Sequence, residues 1–183
     1  SEDVFSEDEV KQIEEYIDGR ENISLVDLGI KLALRTGLRS GELAALKYSD
    51  LDPETSSLQI NRTEQHSKGE KGHTDYYFSD EGSLKCEHPS ETLYIDTVAV
   101  GLIEEINARY PENDFLFYDG HFIRSQAFSK RLSDICNTIG IPPRTLHKAR
   151  KTYATRLINA GVDQMLVKTQ LRHKDITTTL KHY

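Results

Sequence analysis

The sequence predicts an α+β fold that is mainly α-helical, in which helices pack around a small three-stranded antiparallel sheet. Apolar residues recur at helical spacing towards both ends of the chain. Three segments between these ends alternate apolar and polar residues or are rich in aromatic residues, as strands are: LQINRTE at 58–64, TDYYFSD at 74–80 and ETLYID at 91–96. The chain has 183 residues and no convincing interdomain linker, so we expect a single domain over 1–183.

Three helices are predicted before the sheet. Their expected ranges are 6–19, 23–37 and 38–47. Ser6 and Glu9 have the spacing of a capping box at the start of the first helix. The second helix is heavily apolar and is expected to end near Gly37. In the turn TGLRSGE, Ser40 is a candidate cap for the third.

Helical spacing returns after the sheet. The expected helices are 97–110, 125–139, 145–160 and 163–171. The longest break in the pattern lies at 65–74, inside the sheet region, and is expected to be a loop. The final segment, ITTTLKHY, is ambiguous because its β-branched threonines disfavour a helix.

The composition excludes several classes of protein. The sequence contains no run of about 20 apolar residues and does not begin with a secretory signal pattern, so we expect a cytosolic protein without a membrane partner. Its two cysteines, Cys86 and Cys136, fit neither a disulfide framework nor a CxxC metal knuckle. We expect two reduced thiols, one in a loop and one on a helix.

The net charge of −7 argues against a nucleic-acid partner, because Lys and Arg supply most of the affinity for phosphate backbones. The charge is unevenly distributed, however. Residues 1–34 contain ten acids and three bases, whereas residues 120–156 contain eight bases and one acid. This distribution would let an acidic N-terminal face point to solvent while a basic face meets a polyanion. The alternative is an ordinary solvated helix face.

Two motifs place basic side chains where an anion can bind. Arg39 lies in the glycine-bracketed turn TGLRSGE, whose backbone amides and rigid guanidinium suit a phosphate. The alternative is an arginine that closes the turn through Glu42. His147 and Arg150 are three residues apart and so share one face near the start of a predicted helix. Taken alone, this HxxR pattern is usually structural.

A third motif is Leu171-Arg172-His173, which is followed ten residues later by Tyr183. A tyrosine after three threonines has no obvious role in a core and is able to reach an active site. The alternative is an exposed terminal aromatic residue.

Together these motifs resemble the tyrosine recombinases, the phage integrase family, which includes phage and conjugative-transposon integrases. The matching blocks are TGLR-S-GE, HxxR followed by TYAT, LxH, and TTLxxY, in the family's order and spacing over essentially the whole chain. The resemblance implies the helix–sheet–helix catalytic domain of that family. It also implies that an N-terminal DNA-clamping domain and a segment after the tyrosine are missing from this sequence.

The resemblance assigns a role to each motif residue. Arg39 and Arg150 would grip the non-bridging oxygens of the scissile phosphate, beside His147 and His173. Tyr183 would be the nucleophile that forms a 3′-phosphotyrosine link. The family also places a lysine in a β-hairpin to protonate the departing 5′ oxygen. Lys85 fits this lysine best, with Lys68 and Lys71 as alternatives.

The chain departs from the family pattern at two places. Arg172 stands where family members usually have glycine, and Glu91 stands where many have arginine. Neither residue is a proposed catalytic group, but the second departure weakens the alignment of Lys85. The identity of the general base is also open: His147 is preferred, and His173 is able to donate a hydrogen bond to the phosphate instead.

The implied function is site-specific DNA recombination and integration for a mobile element, with double-stranded DNA and further copies of the protein, as a tetramer, as partners. No cofactor is implied, because the covalent link preserves the phosphodiester energy. One alternative is type IB topoisomerase-like DNA relaxation. Others are a non-catalytic DNA-binding module and a metal-dependent hydrolase built on His66, His73 and His88, which lack a recognised ligand spacing.

Overall fold

The computed structural model describes residues 3–79 and 91–171. These residues form two compact units. The helical unit contains residues 3–40 and 126–171, and the mixed unit contains residues 41–79 and 91–125. The predicted fold class is confirmed, because most elements are helices and the strands form small antiparallel sheets. The expectation of one domain over the whole chain stays a prediction.

The described helices are α1 (Glu7–Asp18), α2 (Leu25–Thr36), α3 (Ser40–Ala44), α4 (Thr97–Asn107), α5 (Ser125–Ile139), α6 (Leu146–Asn159) and α7 (Gln164–Leu171). The described strands are β1 (Leu51–Asp52), β2 (Ser57–Ile60), β3 (Thr63–Lys68), β4 (Thr74–Ser79) and β5 (Glu91–Tyr94). The prediction for α5 was correct at both ends, and the predictions for α6 and α7 were correct to within one residue at each end.

The helices α1 and α2 both begin at capping boxes. In α1 the Ser6 hydroxyl accepts a hydrogen bond from the Glu9 N–H at 3.1 Å, and the Glu9 carboxylate accepts one from the Ser6 N–H at 2.8 Å, as predicted. In α2 the same pair of bonds joins Ser24 and Asp27, so the predicted start at Ile23 was too early. Gly37 follows α2 with a φ of 65°, which confirms the predicted glycine end.

The helix α3 is shorter than the predicted helix over 38–47. Beyond Ala44 the backbone makes contacts typical of a strand instead. Lys47 forms an isolated bridge with Phe115, and the Leu46 carbonyl accepts a hydrogen bond from the Leu116 N–H at 3.0 Å. These tertiary bonds replace the i to i+4 bonds that would have continued the helix.

The three predicted strands do not form one three-stranded sheet. The segment 58–64 was predicted as one strand, but it divides between β2 and β3, which belong to different sheets. One sheet has the order β1-β2-β5, and the other is the hairpin β3-β4. The predicted loop at 65–74 is therefore mostly hairpin. Its polar residues are largely exposed, so the sequence shows no burial pattern from which their pairing could be read.

Each unit has its own apolar core. In the helical unit, α1 buries one stripe of side chains (Val10, Ile13 and Ile17), and α7 buries Val167 and Leu171. In the mixed unit, Leu58 on β2 lies opposite Leu93 on β5, and both side chains are fully buried. Among residues 3–79 and 91–171, no helix combines the length and the apolar character that a membrane crossing needs.

Cys136 lies in the core of the helical unit on α5, as the prediction of one helical cysteine requires. Its side chain is fully buried. Burial raises the pKa of the Cys136 thiol above its ordinary value, because the thiolate would lose its hydration. Cys86 lies outside the described residues.

A buried carboxylate connects α2 to α5 within the helical unit. Asp27 is 1% exposed, and its Oδ1 accepts a hydrogen bond from the Arg131 Nε at 2.7 Å. The Arg20 Nε lies 3.6 Å from the other oxygen, Oδ2. Burial alone would raise the pKa of Asp27, but the hydrogen bonds from Arg131 and Ser24 outweigh it and hold the pKa below the ordinary 3.8.

We expect Asp27→Asn to lower the free energy of unfolding by about 1–3 kcal/mol, because it removes a charged hydrogen bond and leaves two arginines beside a neutral side chain. Urea unfolding measured across pH tests this. Because the folded pKa of Asp27 is depressed, its stabilisation is complete above roughly pH 5 and is lost as the pH falls through the folded pKa. The difference between wild type and variant should therefore shrink in acid; a difference that grows in acid would contradict the assignment.

Candidate functional site

Arg150 connects three of the sequence motifs. It lies on α6, one turn beyond His147, and is 3% exposed. Its Nη1 donates a hydrogen bond to the Gly37 carbonyl at 2.6 Å, and its Nη2 donates one to the Leu171 carbonyl. Gly37 belongs to the TGLR turn, and Leu171 is the first residue of the LxH block. Three motifs far apart in the sequence therefore meet at one guanidinium.

Gly37 fits closely between two side chains at this junction. Its φ of 65° is in the left-handed region that favours glycine. A Cβ atom placed on Gly37 would lie 2.5 Å from Cδ1 of Tyr153 and 3.1 Å from Cδ2 of Leu171. Both the conformation of the turn and its packing therefore require the absence of a side chain at this position.

Arg39 and His147 are both exposed, unlike Arg150. Arg39 lies in the non-helical stretch between α2 and α3, two residues beyond Gly37. Because two residues span at most about 7 Å, the Arg39 backbone lies near the turn that Arg150 holds. His147 lies in the first turn of α6, where the Leu146 N–H donates to the Ser129 hydroxyl and the Lys148 N–H donates to the Thr145 carbonyl. Two arginines and a histidine of the predicted set thus belong to one part of the helical unit.

Three predicted site residues, Lys85, His173 and Tyr183, lie outside the described residues. The alternatives to Lys85 are both exposed: Lys68 ends β3 and Lys71 lies in the turn of the hairpin. His66 and His73 are also exposed on this hairpin, and His88 lies outside the described residues. In the part of the chain that the structure describes, no group of three or more His, Cys, Asp or Glu side chains is arranged to hold a metal ion.

One part of the interpretation of the charge distribution was wrong, namely that the acidic N-terminal face points to solvent. Most of the basic side chains in 120–156 pair with acids from the first 27 residues, so the acidic segment does not simply point to solvent. The pairs are Arg131–Asp27, Arg144–Glu9, Lys148–Asp3, Lys151–Asp3 and Arg156–Glu7. The acidic N-terminal segment therefore neutralises much of the basic charge carried by α6.

Packing explains why the N-terminal segment lies against α6. Phe5 is 3% exposed, and its N–H donates a hydrogen bond to the Thr152 hydroxyl on α6 at 2.9 Å. The Arg144 guanidinium lies 4.9 Å from the centre of the Phe5 ring. Hydrogen bonds from Lys148 and Lys151 lower the pKa of Asp3 from 3.8 to about 2, so this carboxylate stays charged further into acid than an ordinary aspartate.

Sequence reasoning missed the parts played by Gly37, Tyr153 and the Leu171 carbonyl. Gly37 was identified only as a helix end, and Tyr153 only as a member of the TYAT block. The sequence contained one usable signal for Gly37. A glycine that ends a helix next to a candidate ligand often marks a place where another group approaches the backbone closely. The carbonyl contacts of Arg150 have no sequence signal, because every residue has a carbonyl.

The arrangement brings two arginines and a histidine to one part of a mainly helical α+β protein, and guanidinium groups are the side chains best suited to hold a phosphate. A model of the phage integrase family matches residues 3–183. The tyrosine recombinase XerC-like protein of Caldanaerobacter subterraneus subsp. tengcongensis is 31% identical over 199 residues, which cover 99% of this chain and 50% of the relative. The chain therefore belongs to the phage integrase family.

Two further similarities agree with this membership. The integrase of Staphylococcus phage L54a is 24% identical, over 96% of this chain and 53% of the phage protein. The structure of the Tn1549 transposon integrase in complex with transposon right end DNA has the same fold, with a TM-score of 0.83 at 20% identity over 100% of this chain and 62% of that one. The chain spans about half the length of the curated relatives it matches.

We expect Gly37→Ala to lower the free energy of unfolding by about 2–4 kcal/mol, because it combines a strained left-handed backbone with a steric clash against Tyr153. Gly140→Ala is the matched control. Gly140 also follows a helix of the helical unit with a φ of 77°, but a Cβ there would meet nothing within 4 Å. The control should therefore show the conformational cost alone, about 1 kcal/mol. Equal losses in urea unfolding would show that the close packing at Gly37 is unimportant.

Proposed function

We propose that this protein is a site-specific tyrosine recombinase that cuts and rejoins double-stranded DNA through a 3′-phosphotyrosine intermediate. The observation that supports this best is the pair of bonds from Arg150 to the Gly37 and Leu171 carbonyls. They draw together the motif segments that the family uses to bind a scissile phosphate. The carbonyl bonds also fix the plane of the guanidinium, so the arginine is oriented before DNA arrives.

Arg39 and Arg150 lie in different surroundings, which suit different roles in binding the phosphate. Arg150 is buried and held by two backbone carbonyls, so its position changes little when substrate binds. Arg39 is exposed on the neighbouring turn and is able to close onto a phosphate from the solvent side. A phosphodiester gains negative charge as it is displaced, and two cations placed in advance stabilise that charge.

In the proposed reaction the Tyr183 hydroxyl attacks the scissile phosphorus. Its oxygen–phosphorus bond forms as the bond to the 5′ oxygen breaks. His147 takes the tyrosine proton, and Lys85 donates a proton to the 5′ oxygen, with Lys68 and Lys71 as the alternative donors. His173 donates a hydrogen bond to the phosphate. The reverse reaction with a new 5′ hydroxyl rejoins the strand, so neither ATP nor a metal ion is needed.

The proposal also covers the partners. The Tn1549 integrase structure contains transposon DNA, and we extend a duplex DNA substrate to this chain by family membership. Recombination between two duplexes requires four cleavages, so we propose that four copies assemble on DNA, where the protein serves the integration of a mobile element. We also propose a cytoplasmic location, in which the protein would have access to cellular DNA.

The central test is a covalent adduct. The full-length protein is incubated in EDTA with a nicked suicide substrate, from which the cleaved 5′ end diffuses away, and the adduct is measured by denaturing electrophoresis. We expect an adduct from wild type and none from Tyr183→Phe. Tyr94→Phe is the control, because Tyr94 is an exposed tyrosine on β5 that should be dispensable. An adduct from Tyr183→Phe, or none from wild type, would refute the proposal, and cleavage without site preference would favour a topoisomerase.

A second prediction concerns Arg39. Arg39→Ala should slow adduct formation by about 10²–10³-fold, as the loss of one prepositioned donor does in other enzymes. Because Arg39 is exposed, the thermal unfolding temperature should change little. Arg109→Ala, which removes another exposed arginine just after α4, should leave the rate unaltered. If the two variants were equally slow, the loss would reflect charge alone and Arg39 would have no special role.

A further inference from the structure

The strongest feature that the proposed function leaves unexplained is the position of Tyr153. This residue is three positions beyond Arg150 on α6, so the two side chains lie on the same face of the helix. Tyr153 packs against Gly37, since a Cβ on that glycine would lie 2.5 Å from its Cδ1 and 3.2 Å from its Cγ. It therefore touches the same turn that Arg150 binds.

Tyr153 also contacts the other segment that Arg150 binds. Its hydroxyl accepts a hydrogen bond from the Gln170 Nε2 at 3.4 Å, on the last turn of α7. Its ring packs against the apolar cluster of Ala154, Val167 and Leu171. Both side chains therefore contact the Gly37 turn and the end of α7. The Tyr153 ring does so through packing, and the Arg150 guanidinium does so through hydrogen bonds.

The two side chains act in opposite directions. Hydrogen bonds from Arg150 draw the Gly37 and Leu171 carbonyls towards one guanidinium. The Tyr153 ring is a rigid body that limits how closely the Gly37 turn approaches α6 and α7. The hydrogen bonds of Arg150 pull the two segments together, and the Tyr153 ring sets the distance at which they stop. Without the ring, the turn would be free to move into the vacated space and the guanidinium would turn with it.

We infer that Tyr153 is a positioning residue that sets the spacing between the Gly37 turn and the end of α7, and thereby the placement of Arg39 and Arg150 on the scissile phosphate. The inference rests on the proposed function. It concerns the rigid ring and not the hydroxyl, because the 3.4 Å bond to Gln170 is long. A displacement of about 1 Å at such a site is able to slow a reaction by about 10²-fold.

The test compares three variants of the full-length protein on the suicide substrate. Tyr153→Phe keeps the ring, Tyr153→Leu removes it, and Leu157→Ala is a matched control for lost packing. Leu157 is half-buried, packs on the same apolar cluster and lies one turn further along α6. Single-turnover cleavage at saturating DNA, DNA dissociation constants and thermal unfolding are measured for each variant.

We expect Tyr153→Leu to slow cleavage at saturating DNA by at least about tenfold, while its DNA dissociation constant changes less than about threefold. Tyr153→Phe should cleave within about threefold of wild type. Leu157→Ala should lose thermal stability but keep its cleavage rate. The inference is overturned if Tyr153→Leu cleaves as fast as wild type, or if Leu157→Ala is slowed as much for the same loss of stability.

Tyr153→Met is the second variant if Tyr153→Leu does not fold. Methionine retains most of the apolar volume but is flexible, so it should fold and still cleave at least about fivefold more slowly than Tyr153→Phe. A cleavage rate equal to that of Tyr153→Phe would show that the rigid ring is not needed.

A double-mutant cycle separates failure of this inference from failure of the proposed function. It combines Gly37→Ala with Tyr153→Leu and measures only urea unfolding. If the ring limits the turn, the smaller leucine relieves the clash, and Gly37→Ala should shift the unfolding constant at least about fivefold less in that background. Additive effects would overturn the spacing role even where the protein cleaves DNA. Coupling without any covalent adduct would instead overturn the recombinase assignment and leave only the spacing role of Tyr153 standing.

Discussion

The hydrogen bonds from Arg150 to two backbone carbonyls are the interaction on which the candidate site depends. A buried guanidinium is costly unless its N–H groups have partners, and here the partners are the ends of two chain segments. The Gly37 carbonyl belongs to the residue that follows α2, and the Leu171 carbonyl belongs to the last described residue of α7. The arginine thus connects α6 to the residue after α2 and to α7.

The acidic N-terminal segment changes how the net charge should be understood. Its carboxylates pair with bases on α5 and α6 and with Arg144 between them, and several of these pairs are partly buried. A charge of −7 therefore does not describe a uniformly acidic surface. The segment pairs with Lys148, Lys151 and Arg156 of α6, and these positions alternate along the helix with those of His147 and Arg150. The net charge of a long range of residues therefore does not show which individual charges are paired.

The sequence contained enough information for most of the helices and for the family, but not for the contacts. The capping box of Ser6 and Glu9 and the bounds of α5 depend on local spacing, which a sequence shows directly. The division of 58–64 between two sheets depends on tertiary pairing in a polar hairpin. The candidate site divides in the same way between what the sequence shows and what it does not. Arg39, His147 and Arg150 were identified as candidates from motifs. That Arg150 binds two carbonyls, and that Gly37 has no room for a side chain, are consequences of packing.

The burial of Cys136 gives the helical unit an internal probe of its own opening. Thiol reagents react with the thiolate. In the folded unit the Cys136 thiol is fully buried and its pKa is raised, so both its access to reagent and its ionisation are reduced. Modification then requires the core around α5 to open, and the Arg131–Asp27 bond between α5 and α2 opposes such an opening. The speed with which Cys136 is labelled under native conditions therefore measures how often this core opens, and reports the local stability of the unit that carries the candidate site.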